Sequence, residues 1–266
     1  MRRLLAGVNW KAFAVLLVAG LLGVVAVLPY VMELVESSIF GRVAAPDLPM
    51  PLVLTLALLQ NGILLAITIL IGLVLSERIG LRMPLIQAWT TGTRASVAQA
   101  GVLPALLAGA AVGATLVAIE AIVFLRHLPP AMQPLFMIPL WKRLLAGVLY
   151  GGITEELFMR LFLVSLVAWL CGRWWRTPAG LPTPGAFWIA IVLVAVLFGL
   201  GHLPATSAIT PLTTMLVVRA LVLNGIAGIA FGYLYWRHGL EAAMIGHMGA
   251  HLVMQIPGVI ILTRIS

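Results

Sequence analysis

Charge is scarce in this sequence. Asp, Glu, Lys and Arg make up 9% of the 266 residues, where a water-soluble domain carries about a quarter. So few charges cannot cover a soluble surface of this size, which excludes an ordinary cytosolic enzyme. A disordered chain is excluded too, because it needs low hydrophobicity. Cysteine is almost absent: Cys171 stands alone, ruling out an internal disulfide and a thiolate metal cluster. Long polar stretches are missing, so no soluble accessory domain is expected. No internal repeat or low-complexity linker divides the chain, which argues against a two-repeat carrier.

Apolar residues are what the sequence has in abundance, at 62% of the chain. Mean hydropathy is +1.14. These values predict an all-α, polytopic transmembrane helical bundle, a single integral-membrane domain over residues 1–266. The net charge of +8 then reads as membrane topology, since Lys and Arg gather at cytoplasmic helix ends. Membrane lipid is the expected partner, and nucleic acid is not.

A spanning helix needs about 20 mostly apolar residues. Seven stretches qualify, roughly Phe13–Met32, Leu52–Leu75, Leu103–Leu125, Leu144–Leu170, Phe187–Leu203, Thr213–Trp236 and Leu240–Leu262. Met83–Ala100 is more polar and reads as an interfacial or short re-entrant segment. Leu128–Leu140 carries four prolines and reads as a loop or half-helix, so the expectation is seven to eight spans. The N-terminal Met-Arg-Arg and its apolar run look like a signal peptide. No small-x-small cleavage site follows, so a retained first helix is expected. With the N-terminus inside, nine basic residues fall on the inner side (Arg2, Arg3, Lys11, Arg78, Arg82, Arg94, Arg173, Arg176, Arg237) and five on the outer (Arg42, Arg126, Lys142, Arg143, Arg264). That asymmetry favours an inside N-terminus, and the acids Glu33, Glu36 and Asp47 of the first loop agree with it.

An ionisable residue at mid-membrane depth costs about 2.5–3.5 kcal/mol on insertion scales. Charges inside spans are therefore the informative residues. The fourth span carries Glu155, Glu156 and Arg160. Glu156 and Arg160, four apart, share a face of an α-helix and can pair. Glu155 is turned about 100° from Glu156 and should address another partner. The fifth span ends on Phe198 and His202. The last span carries His247 and His251, whose spacing puts two imidazoles on one face. Taken singly, an interfacial ion pair and interfacial histidines would account for these residues. Together they become tolerable if they converge on one polar cavity, and carboxylate, imidazole and buried water are the groups that hydrolysis uses. Glu120 reads as an interfacial acid near Arg126, Arg219 as a snorkelling residue and Asn224 as a packing contact. The many glycines of the later spans read as close helix packing.

These residues resemble the CPBP group of intramembrane proteases, the CAAX-protease and bacteriocin-processing (Abi) family. Its Glu-Glu-x-x-x-Arg motif is matched by Glu155, Glu156 and Arg160. Its Phe-x-x-x-His motif is matched by Phe198 and His202. Its His-x-x-x-Asn motif is matched by His247, with His251 in the last place, where many members carry Asn. The lead-in Gly239–His247 is also similar. The likeness lies in a catalytic half of about residues 144–262, and the helices of residues 1–143 are less specific. The resemblance implies an eight-helix-like bundle with a polar cavity open to one membrane face. It also implies an intramembrane endopeptidase that cuts near the C-terminus of a membrane-associated or lipidated protein. The expected location is a bacterial cytoplasmic membrane.

Two mechanisms follow from the resemblance. In the favoured one, Glu155 and His202 activate a water, His247 and His251 donate to the oxyanion, and the Glu156–Arg160 pair fixes the helix, with no cofactor. In the other, His202, His247 and His251 bind zinc and Glu155 acts on its water. No His-Glu-x-x-His signature supports the second. The competing functions are a proton-coupled or lipid-handling carrier and a catalytically silent, bacteriocin-immunity-type membrane protein.

Overall fold

The computed structural model describes residues 8–37 and 49–265. Arg2, Arg3, Arg42 and Asp47 lie outside the described residues, as does the side chain of Glu36. The described residues are mostly helical and form no strands. Helix α1 is Trp10–Ser37, α2 is Met50–Arg78, the short α3 is Pro84–Thr91 and α4 is Val102–Ile119. The last of these runs on through Glu120–Phe124 and Leu125–His127. A one-turn α5, Pro134–Met137, precedes α6, a continuous helical run over residues 140–171. Then come α7 (Pro184–Gly201), a short α8 (Leu203–Ser207), α9 (Thr214–His238) and α10 (Leu240–Val253), which continues through Met254–Gly258 into α11 (Val259–Ile265).

Six of these runs are long and apolar enough to cross a membrane. The long run α6 has the length as well, but carries Glu155, Glu156 and Arg160 within it. The seven long runs fall where the seven apolar stretches predict them. An eighth span between α4 and α6 does not form: residues 128–139 hold one 3₁₀ turn and α5, because prolines remove the donors a long helix needs. This is an integral membrane protein built as an all-α bundle.

The winding of α6 departs from expectation. Leu145–Glu155 and Leu157–Val164 are bonded in the π manner, i to i+5, a geometry that tends to occur at functional sites. Apolar periodicity alone predicts an ordinary α-helix there.

Small residues set the helix crossings. Gly20 and Gly23 of α1 and Gly72 of α2 lie against α6, where an added Cβ would strike Leu157, Thr154 and Leu161 respectively. The Thr154 hydroxyl donates to the Gly20 carbonyl at 2.9 Å. Helices α4 and α10 run parallel, Gly109 beside Gly246 and Gly113 beside Ala250. Helices α7 and α9 run antiparallel, Gly228 against Ala195 and Gly232 against Ile191. The α9–α10 corner turns at Gly239, whose φ of 109° only glycine adopts readily. Leu240 N–H then donates to the Arg82 carbonyl at 3.1 Å. Helix α6 thus sits centrally, with α1 and α2 on one side and α7, α9 and α10 on the other.

Candidate active site

The polar residues of α6, α7 and α10 meet inside the bundle. Glu156 and Arg160 are fully buried, and Arg160 Nη1 lies 3.1 Å from Glu156 Oε1. The pairing matches the spacing of four residues. Arg160 also donates from Nη2 to the Gly228 carbonyl at 3.4 Å. Its guanidinium stands over the rings of Phe198 and Phe231, 5.2 and 5.6 Å from their centroids. A buried cation held by one carboxylate, one carbonyl and two aromatic faces is a locked anchor, not a mobile charge.

Glu156 has a second partner. Its Oε1 accepts from His247 Nδ1 at 2.7 Å. The opposite edge of the same imidazole faces the neighbouring glutamate, His247 Nε2 lying 4.0 Å from Glu155 Oε2. The adjacent carboxylates therefore address two edges of one ring. Their exposures differ: the Glu156 side chain is 0% exposed and that of Glu155 is 20%. Glu155 can meet water, whereas Glu156 cannot.

The rings around His247 fix its plane. Phe231 stacks on it at 4.6 Å and 23°, and His251 stacks on it at 5.0 Å and 17°. Phe198 stands edge-on to His247 at 6.2 Å and to His202 at 4.8 Å, so the two histidines share one aromatic neighbour. His202 Nδ1 lies 2.8 Å from the Phe198 carbonyl. A carbonyl only accepts, so Nδ1 carries the proton and Nε2 keeps its lone pair when the ring is neutral.

His251 occupies space that glycine leaves open. A Cβ on Gly147 would run into its imidazole, and one on Gly151 would come within 2.9 Å of His251 Nε2 and 3.3 Å of His247 Nε2. His251 Nδ1 is buried and meets no hydrogen-bond partner among the described residues.

The residues that a zinc ion would need are His202, His247 and His251. Among the described residues no group of three or more His, Cys, Asp or Glu side chains is arranged to hold a metal. His247 and His251 stack face to face, while the bond from His247 Nδ1 to Glu156 leaves Nε2 open, as in a metal-ligating histidine.

Residues 137–253 match the type II CAAX prenyl endopeptidase Rce1-like family. The match bears out the resemblance to the CPBP group drawn from the three motifs, and it indicates a protease. Neither a comparison with curated proteins nor one with solved structures gives a match. The Rce1-like stretch contains every residue described above, from Gly147 to His251.

Several participants escape sequence reading. Phe231 and Gly228 sit three apart on α9, one holding the His247 plane and the other accepting from Arg160. Gly147, Gly151 and Glu155 recur every four residues, a signal of one clear helix face that can be seen only once His251 is placed. Outside the site, Glu120 pairs with Arg219, whose Nε lies 3.0 and 2.8 Å from its two oxygens. Arg126 instead reaches His127. Glu120 is 5% exposed, so it is a buried acid bridged to another span and not an interfacial one.

Proposed function

We propose that this chain is an intramembrane endopeptidase that hydrolyses a peptide bond near the C-terminus of a membrane-associated or lipidated substrate, with Glu155 as the base. The observation that carries this reading is the meeting of Glu155, Glu156 and His247, within the stretch that matches a peptidase family. The carrier reading lacks an equivalent, since among the described residues of the first half the buried charge is Glu120, which is paired with Arg219.

Glu155 is the carboxylate with access to water, and it lies beside an imidazole. Glu155 and His202 Nε2 hold the water, and Glu155 takes its proton. The hydroxide adds to the scissile carbonyl. The oxyanion so formed accepts from His247 Nε2 and from His251. His247 can donate there while Nδ1 donates to Glu156 only if the ring carries both protons. Glu156 on one edge and the oxyanion on the other are the countercharges for that form, Glu155 being neutral once it holds the water's proton. Collapse of the intermediate breaks the C–N bond, and Glu155 returns the proton to the leaving amine. One water is consumed and two chain ends appear.

Glu156 and Arg160 touch no reacting atom in this scheme. They position His247, as the acid partner of a histidine commonly does.

The test uses purified protein in lipid nanodiscs with peptides that model C-terminal tails, lipidated and unlipidated, read by mass spectrometry. The expected result is cleavage by the parent within a few residues of the peptide end and none by Glu155→Gln. Equal processing by both would overturn the assignment of Glu155, and no cleavage of any tail by the parent would favour the silent-protein reading.

A further inference from the structure

Outside the active site, the chain between α2 and α4 forms an open cleft of about 240 Å³. Its walls include Arg82, Arg94, Gln87, Gln99, Thr91 and Thr93, and no Asp or Glu lines it. Neither guanidinium pairs with a carboxylate among the described residues. Two positive charges therefore share a polar cleft and, among the described residues, neither has a carboxylate partner.

The cleft is braced rather than loose. The Arg82 carbonyl accepts from Leu240 N–H, and the Glu241 carboxylate accepts from Ile86 N–H at 2.9 Å, at the start of α3. The wall of the cavity is thus tied to the first turn of α10. Its neighbours are those of a membrane surface. Arg78 ends the second span and Val102 begins the third. Trp89 is 66% exposed and Val97 65% exposed on the same segment, and Trp favours the headgroup level of a bilayer.

We infer that this cavity binds a phosphate-bearing anion, as a lipid headgroup or as free phosphate. Guanidinium forks match phosphate oxygens in pairs, and hydroxyl and amide donors complete the cradle. Basic pockets at the ends of spanning helices suit phospholipid headgroups. The inference is independent of the peptidase reading and uses none of its residues.

The test compares the detergent-purified protein with two variants. Arg82→Gln/Arg94→Gln removes both charges at exposed positions. Gln99→Glu keeps the acceptor that Gln99 offers to Ser96 N–H and places a negative charge in the cavity. Native mass spectrometry follows retention of phosphatidylglycerol against phosphatidylcholine, and calorimetry follows inorganic phosphate. The parent should prefer phosphatidylglycerol, and each variant should lose that preference by about tenfold or more, while Arg173→Gln/Arg237→Gln retains it. Phosphate binding that is lost in the variants, without a lipid preference, assigns the cavity to free phosphate and also supports the inference. Equal binding of both probes by the parent and by Arg82→Gln/Arg94→Gln, or no binding of either probe by the parent, overturns it.

Discussion

His247 Nδ1 sits 2.7 Å from Glu156 Oε1, and the same oxygen lies 3.1 Å from Arg160 Nη1. One buried carboxylate oxygen therefore joins the arginine anchor of α6 to the imidazole of α10. Glu156 thereby ties the position of His247 to the arginine anchor, while Phe231 and His251 hold the plane of the ring.

The two glutamates should fail differently. Glu155→Gln removes the base, and turnover should fall by about 10²–10⁴, the usual contribution of a positioned base. Its side chain is partly exposed, so melting in detergent should hardly move. Peptide cleavage and thermal melting on the same preparation check both halves of the statement.

Arg160→Ala should act through stability. It leaves Glu156, which is fully buried, without its cation and with the His247 bond alone, and breaking a buried pair in this way costs about 3–5 kcal/mol. Yield of inserted protein and melting temperature should both drop well below those of Glu155→Gln. A variant that melts like the parent would show that Glu156 does not depend on this partner.

Gly151→Ala tests the packing of the histidines. The new methyl would sit 2.9 Å from His251 Nε2 and 3.3 Å from His247 Nε2, so both rings must shift. Overpacking of this kind costs about 1–3 kcal/mol, and activity should fall further than stability explains. Comparing kcat with melting temperature for Gly151→Ala and for Gly201→Ala, which has open space around it, separates the site effect from a general one.

His251→Asn divides the two mechanisms. An amide donates a hydrogen bond as an imidazole does, so an oxyanion donor at this place should survive the change with much of its activity. A zinc ligand should not. The measurement is activity and bound zinc, before and after chelator, in parent and variant. The expected outcome is an active, metal-free His251→Asn protein. Loss of both zinc and activity, with zinc restoring only the parent, would sink the glutamate-based scheme.

The spans were legible because an apolar run of about 20 residues has few other uses. The site helices were legible for the opposite reason, since Glu155, Glu156, Arg160, His202 and His247 are out of place in such runs. The Glu156–Arg160 pair followed from spacing. The bond from Glu156 to His247 did not, because it depends on the rotation of α10 against α6. The π winding left no trace, as the same apolar residues satisfy either bonding pattern. The Glu120–Arg219 bridge joins residues 99 apart, and no local rule connects them. The polar stretch from Met83 to Ala100 was visible as non-spanning, but its cavity needed the fold.

The crossings of α1, α2 and α4 carry a consequence for how such a protein can vary. The motifs lie on residues 155–251, yet α6 rests on Gly20, Gly23 and Gly72, and α10 rests on Gly109 and Gly113. The chemistry therefore cannot be transplanted as the C-terminal half alone. A fragment beginning at α6 would present its glycine-fitted faces to lipid and lose the backing that aims Glu155 and His247. The early helices are free to drift in sequence along their lipid faces, provided that they stay small at the few places where they touch the later ones.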